Sequence, residues 1–124
     1  MKAGMVGIGA VGAATAMALT LRARVRELVL VNRNRARAKG VATDMRYGTP
    51  LSPLVQISDG DYADLAGAGV VIIAAGVNEK TGGATDRNDP LGRLRLLEPN
   101  AEVFADIVPR VVLDPLRRSS QKGM

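Results

Sequence analysis

Apolar residues in this chain fall in short runs separated by polar or glycine-rich breaks. Lys2-Ala3-Gly4-Met5-Val6-Gly7-Ile8 is the first run, and Leu28-Val29-Leu30-Val31 the second, ending at Asn32. Leu54-Val55-Gln56-Ile57 is the third, and Val70-Val71-Ile72-Ile73-Ala74-Ala75 the fourth. An unbroken apolar run without alternation suits a parallel strand covered on both faces. Between the runs the period changes. Ala13 to Leu21 predicts a helix, and Asn34 to Met45 places Ala38, Val41, Ala42 and Met45 at helical spacing. Asp61 to Ala66 is a short helical turn after Ser58-Asp59-Gly60-Asp61. Arg93 to Val108 puts Leu94, Leu97, Ala101 and Phe104 on one face, with Pro99 marking a kink or a second start. Tyr47 to Pro53 and Gly76 to Gly92 read as loops. Val111-Val112-Leu113 is a candidate last strand.

This alternation predicts an α/β fold: a Rossmann-type doubly wound parallel sheet, incomplete, with about four strands and Val111–Leu113 as a short fifth. Right-handed crossovers put the first strand near the middle. A ligand belongs at the carboxyl ends of the strands. The chain of 124 residues is one domain at most, expected over 1–116, with 117–124 a loose basic tail.

The breaks hold the chemistry. Gly7-Ile8-Gly9-Ala10-Val11-Gly12 has the G-x-G-x-x-G spacing, follows a strand and opens a helix, inside a βαβ unit of about 30 residues. Gly7 permits the tight turn, Gly9 a close approach to a pyrophosphate, and Gly12 close packing of helix on strand. The helix start then presents N–H groups and the positive end of its dipole to the phosphates. Glycine at 4, 7, 9 and 12, with few large aliphatic residues, argues against a secretory signal or a membrane helix in this stretch.

Composition narrows the rest. The chain is 47% hydrophobic but has one Phe, two Tyr and no Trp, so its core is aliphatic. Absence of Cys excludes disulfides and thiolate chemistry and fits a cytoplasmic setting. Absence of His removes the commonest general base and metal ligand, and no metal site is expected. Net charge is +5, but the basic residues are spread over 22–26, 33–39, 87–95 and 110–118 without interleaved aromatics. That pattern disfavours nucleic acid and suits an anionic small ligand.

Four segments together are similar to the L-lactate and malate dehydrogenases: Gly7–Gly12, Val29–Asn32, Gly60–Ala68 and Val71–Asn78. The resemblance spans about residues 2 to 113 and implies the amino-terminal, nicotinamide dinucleotide part of such an enzyme. It implies NAD contacts at Gly7, Gly9, Ala10, Val11, Gly12, Asn32, Arg33, Ala74, Ala75 and Gly76. It implies hydride exchange between the cofactor and a small 2-hydroxy or 2-oxo acid, lactate-type favoured. A free-standing, non-catalytic NAD(P)-binding module is the alternative.

Departures from the family pattern matter. The family has Asp at the end of its second strand where this chain has Asn32; Asn does not repel a 2′-phosphate, and Arg33 and Arg35 lie beside it, so NADP enters as a second cofactor. The loop after Asn78 is longer than usual. Arg93-Leu94-Arg95-Leu96-Leu97-Glu98-Pro99-Asn100 resembles the family's Arg-Leu-x-Leu-Leu-x-x-Asn, which makes Arg93 the implied catalytic Arg and Arg87 the runner-up. Glu79 falls near the position that discriminates substrates, where a carboxylate repels a second substrate carboxylate. The family's Asp–His pair and carboxylate-clamping Arg have no counterpart here, so the chain by itself is expected to be inactive, with the substrate domain absent. The outer edge of the fourth strand, bare unless Val111–Leu113 pairs with it, predicts self-association or a homo-oligomer. No membrane partner is expected.

Overall fold

Strand β1 (Lys2–Val6) is the centre of the molecule. In the computed structural model, which describes residues 1–22, 24–48 and 55–123, it pairs in parallel with β2 (Glu27–Val31) on one side and β4 (Val70–Ile73) on the other. β3 (Gln56–Asp59) adds beyond β2, giving the order β3-β2-β1-β4. Met5 lies opposite both Leu30 and Ile72.

Because side chains alternate along a strand, this register sorts the apolar residues into two cores. Ala3, Met5, Leu28, Leu30 and Ile57 form one, covered by α1 (Ala10–Arg22) and α2 (Arg35–Gly48) through Ala16, Ala38, Ala42 and Met45. Val6, Val29 and Val31 form the other, with Leu65 and Ile107. Leu65 comes from the 3₁₀ turn Tyr62–Leu65, and Ile107 from α3 (Leu97–Lys122). A Cβ on Gly4 would lie 2.4 Å from Leu65 Cδ2, so glycine there leaves room for the leucine against the central strand. The sheet is thus covered on both faces, as its unbroken apolar runs require.

The helices follow local rules. Gly12, Ala16 and Thr20 recur every four residues on the buried side of α1, and small side chains let it lie close to the sheet. The Thr20 hydroxyl donates to Ala16 O at 2.9 Å, which satisfies it in the core. Asn34 caps α2: its Oδ1 accepts the Arg37 N–H at 3.2 Å. α1 starts at Ala10, three residues before the expected start, because Gly9 O accepts the Ala13 N–H at 2.9 Å.

The carboxyl-terminal third corrects two expectations. Val111–Leu113 is not a fifth strand, and the segment from 117 is not loose: α3 continues through both to Lys122. The reason is visible in the spacing. Val103, Ile107 and Val111 recur every four residues and pack on the second core, so Val111 extends a helical stripe. Pro109 and Pro115 sit inside α3, each removing a backbone bond at about 3 kcal/mol. Contacts to the 3₁₀ turn flank both prolines: Arg110 lies over the Tyr62 ring at 5.1 Å and Arg118 pairs with Asp64. Pro99 marks a helix start, in the first turn of α3, where its missing N–H would have had no intrahelical partner. A separate 3₁₀ turn, Gly92–Leu96, precedes it. Among the described residues, no strand covers the outer edge of β4. The loop expected at 47–53 lies outside the described residues beyond Gly48, as does Leu54.

Candidate cofactor site

The glycine loop crosses the carboxyl end of β4. Gly7 has φ +90°, and a Cβ on it would lie 2.5 Å from Ala75 N. Both facts demand glycine, and together they bring the loop against Ala74 and Ala75. A Cβ on Gly12 would lie 1.8 Å from Gly7 O, so α1 seats directly on the turn. Gly9 is different: nothing lies within 4 Å of its Cβ position. Its side of the loop is open to a ligand. Gly9, Ala10 and Val11 are exposed. Since the first intrahelical bond runs from Ala13 N–H to Gly9 O, the N–H groups of Ala10, Val11 and Gly12 precede it at the positive end of α1. This is the geometry a pyrophosphate requires.

Two side chains hold the loop in that shape. Asn32, half-buried at the end of β2, accepts the Ile8 N–H on Oδ1 at 3.0 Å and donates from Nδ2 to Asn34 O at 3.1 Å. The Arg37 guanidinium donates to Ile8 O. The peptide groups on either side of Ile8 are therefore both held. Sequence reasoning missed Arg37, whose only signal is its place in the first turn of α2. Asn32 also does more than expected, since one of its oxygen lone pairs serves the loop.

The two arginines flanking Asn34 separate. Arg35 donates to Asp59 Oδ2 at 2.6 Å and to Asp61 Oδ1 at 2.8 Å. That hydrogen bond from Arg35 holds the Asp59 carboxyl below its usual range, against the opposing effect of burial. Arg35 is thus engaged by carboxylates, which corrects the expectation that it faces a 2′-phosphate. Arg33 is exposed and, among the described residues, makes no ion pair or side-chain hydrogen bond.

At the end of β4, Ala74 N–H donates to Val6 O at 2.8 Å. Beyond it, Asn100 Oδ1 accepts the Val77 N–H at 2.6 Å and lies 2.7 Å from the Cβ position of Gly76. Asn100 fixes the backbone that leaves the strand, a role not assigned to it from sequence. The long loop brings Glu79 and Arg93 together: Arg93 Nε lies 2.6 Å from Glu79 Oε1, both exposed. Arg87 is not brought to them; it is exposed and, among the described residues, unpaired. Asp89 braces the loop by pairing with Arg95, and that hydrogen bond lowers its carboxyl below the usual range.

Comparison with known proteins bears on this geometry. The sequence model of the family described as lactate/malate dehydrogenase, NAD binding domain, matches residues 1–114. The chain belongs to that family. Within it, the chain is 46% identical over 112 residues to the L-lactate dehydrogenase of Chloroherpeton thalassium, covering 90% of this chain and 34% of that protein. The L-lactate dehydrogenase of Thermus aquaticus matches with the same identity and coverage. Among solved structures, a lactate dehydrogenase from a Medee basin deep-sea metagenome library superposes with a TM-score of 0.77 at 34% identity, covering 92% of this chain and 34% of that one. The minor L-lactate dehydrogenase of Enterococcus mundtii gives 0.78 at 31%, with the same coverage. The chain thus spans about a third of the length of these relatives. As the NAD-binding domain of this family, it carries its glycine loop on the β1–α1 turn just described. None of the helices among the described residues is long and apolar enough to cross a membrane.

Proposed function

We propose that this chain is the cofactor-holding part of an oxidoreductase that exchanges a hydride between NAD and a small 2-hydroxy acid of the lactate type. The observation that carries the reading is the Gly7–Gly12 loop packed on Ala74–Ala75, with Gly9 open and the start of α1 exposed. Gly9, Ala10, Val11 and Gly12 would hold the pyrophosphate; Asn32 and Arg33 flank the adenosine ribose; Ala74, Ala75 and Gly76 leave room beside the other ribose and the nicotinamide. The bound nicotinamide supplies the hydride acceptor. Arg93 is the group that donates hydrogen bonds to the substrate oxygen as it becomes a carbonyl. Glu79, paired with it, offsets the positive charge that would attract a second substrate carboxylate, which favours a monocarboxylate. Oxidation also releases the hydroxyl proton. This chain has no His, so the proton acceptor must be another group, and the chain alone binds without turning over. A cytoplasmic setting suits a chain without Cys.

The test is a chimera in which residues 1–113 replace the matching segment of the Chloroherpeton thalassium relative. It should oxidise L-lactate with NAD, and Arg93→Ala should lower kcat/KM by about 100-fold or more. A folded, NAD-binding chimera that ignores lactate, or is indifferent to Arg93→Ala, would contradict the reading.

A further inference from the structure

Beside Asn32 lies a groove of about 830 Å³, walled by the end of β2, the 3₁₀ turn at Tyr62 and the last four turns of α3. That volume suits a nucleoside-sized ligand. Four guanidinium groups, Arg33, Arg110, Arg117 and Arg118, line it against two carboxylates, Asp61 and Asp114. Asp61 is held by Arg35, from outside this lining. Asp114 lies 4.0 Å from Arg117, the edge of ion-pair range. Arg118 is committed to Asp64, and Arg110 lies over Tyr62 and 3.5 Å from Asp106. Arg33 has no ionic partner among the described residues, and the Arg117 side chain is 78% exposed. Charges balance over this neighbourhood, because Arg35 serves Asp59 as well as Asp61, but they are unevenly placed: Arg33, unpaired among the described residues, and Arg117, only loosely paired, leave positive charge next to a strand end whose residue 32 is neutral.

We propose that this groove binds a phosphate monoester on the adenosine ribose, so that the chain accepts NADP as well as NAD, with Arg33 and Arg117 as its phosphate ligands. The proposal rests on the reading of the glycine loop as a dinucleotide site, and adds a second anion site to it. Residue 32 decides the ribose side. A carboxylate there would repel a 2′-phosphate, whereas the Asn32 amide is neutral and has its oxygen turned to the Ile8 N–H. The α3 side adds a second cation from outside the matched segment. The family match ends at residue 114, and Arg117 lies beyond it, carried to the groove because α3 continues helical to Lys122. Arg33 and Arg117 thus approach one cleft from two elements, and a dianionic phosphate accepts charge-assisted bonds from both.

Calorimetric titration of the 124-residue chain with NAD and with NADP, at low salt, tests this. NADP should bind at least as tightly as NAD. Arg33→Ala and Arg117→Ala should each weaken NADP by about tenfold more than NAD. Both side chains are exposed, so the variants should keep the parent's far-ultraviolet circular dichroism. NAD binding with NADP much weaker, or an unchanged NADP-to-NAD ratio in both variants, overturns the second anion site and leaves the dinucleotide site standing. Failure of a folded chain to bind either dinucleotide overturns both.

Discussion

Gly12→Ala and Gly40→Ala add the same methyl group to a helix and should move stability in opposite directions. Gly40 is exposed within α2, and nothing lies within 4 Å of its Cβ position. Alanine there should stabilise by about 0.5–1 kcal/mol through helix propensity and a less flexible unfolded chain. The same gain is available at Gly12, but its Cβ would lie 1.8 Å from Gly7 O. An ordinary carbon–oxygen contact is about 3.3 Å, so loop and helix must separate by about 1.5 Å. Gly7 cannot retreat: its N–H is bonded to Val31 O at 2.9 Å and its other side abuts Ala75. Overpacking against fixed backbone outweighs propensity, and a net loss of about 3 kcal/mol is expected. At about 4 °C per kcal/mol for a domain of this size, Gly12→Ala should lower Tm by about 12 °C and Gly40→Ala should raise it by a few degrees. Thermal unfolding followed by circular dichroism, with urea midpoints as a check, reads both. A Gly12→Ala variant as stable as the parent would refute the packing argument.

Further outcomes follow from other contacts. Glu79→Gln breaks an exposed pair, so stability should change by less than about 0.5 kcal/mol. In the chimera, it should raise the kcat/KM ratio of a dicarboxylic over a monocarboxylic 2-oxo acid by about fivefold, from loss of about 1 kcal/mol of repulsion. Asp59 has a folded pKa depressed below its ordinary 3.8, so it contributes stability above that pH that is lost as pH falls through the lowered value. The stability gap between the parent and Arg35→Gln should therefore narrow as pH drops from 6 to 3; a constant gap would remove the Arg35–Asp59 pair as its cause. Ile72 packs on the first core while Val70 is 39% exposed on the bare edge of β4. Ile72→Lys should unfold the chain, and Val70→Lys should reduce self-association seen by sedimentation, whereas a parent that stays monomeric at tens of micromolar would mean the edge is not adhesive.

The strands, the central place of the first one and the glycine loop were legible because each rests on a sequence rule. Strand runs covered on both faces announce themselves by composition, and Gly7 and Gly12 answer steric demands that only glycine meets. Val111–Leu113 was not legible. Three apolar residues carry no period of their own, and only Ile107 and Val103, placed against the second core, show that they continue a helix. The roles of Arg35 and Arg37 were equally hidden. They lie two residues apart on one helix, yet one reaches Asp59 and Asp61 across the sheet end and the other reaches Ile8 in the loop. Their partners are 24 to 29 residues away in sequence, and no spacing rule reports such a meeting.

The central claim is that residues 1–32, seated on the end of β4, form a working dinucleotide site. Isothermal titration of NADH into the folded 124-residue chain tests it most directly. Saturable binding with one NADH per chain is the expected result; a chain that shows its helices by circular dichroism and yet binds no NADH at millimolar concentration would contradict it.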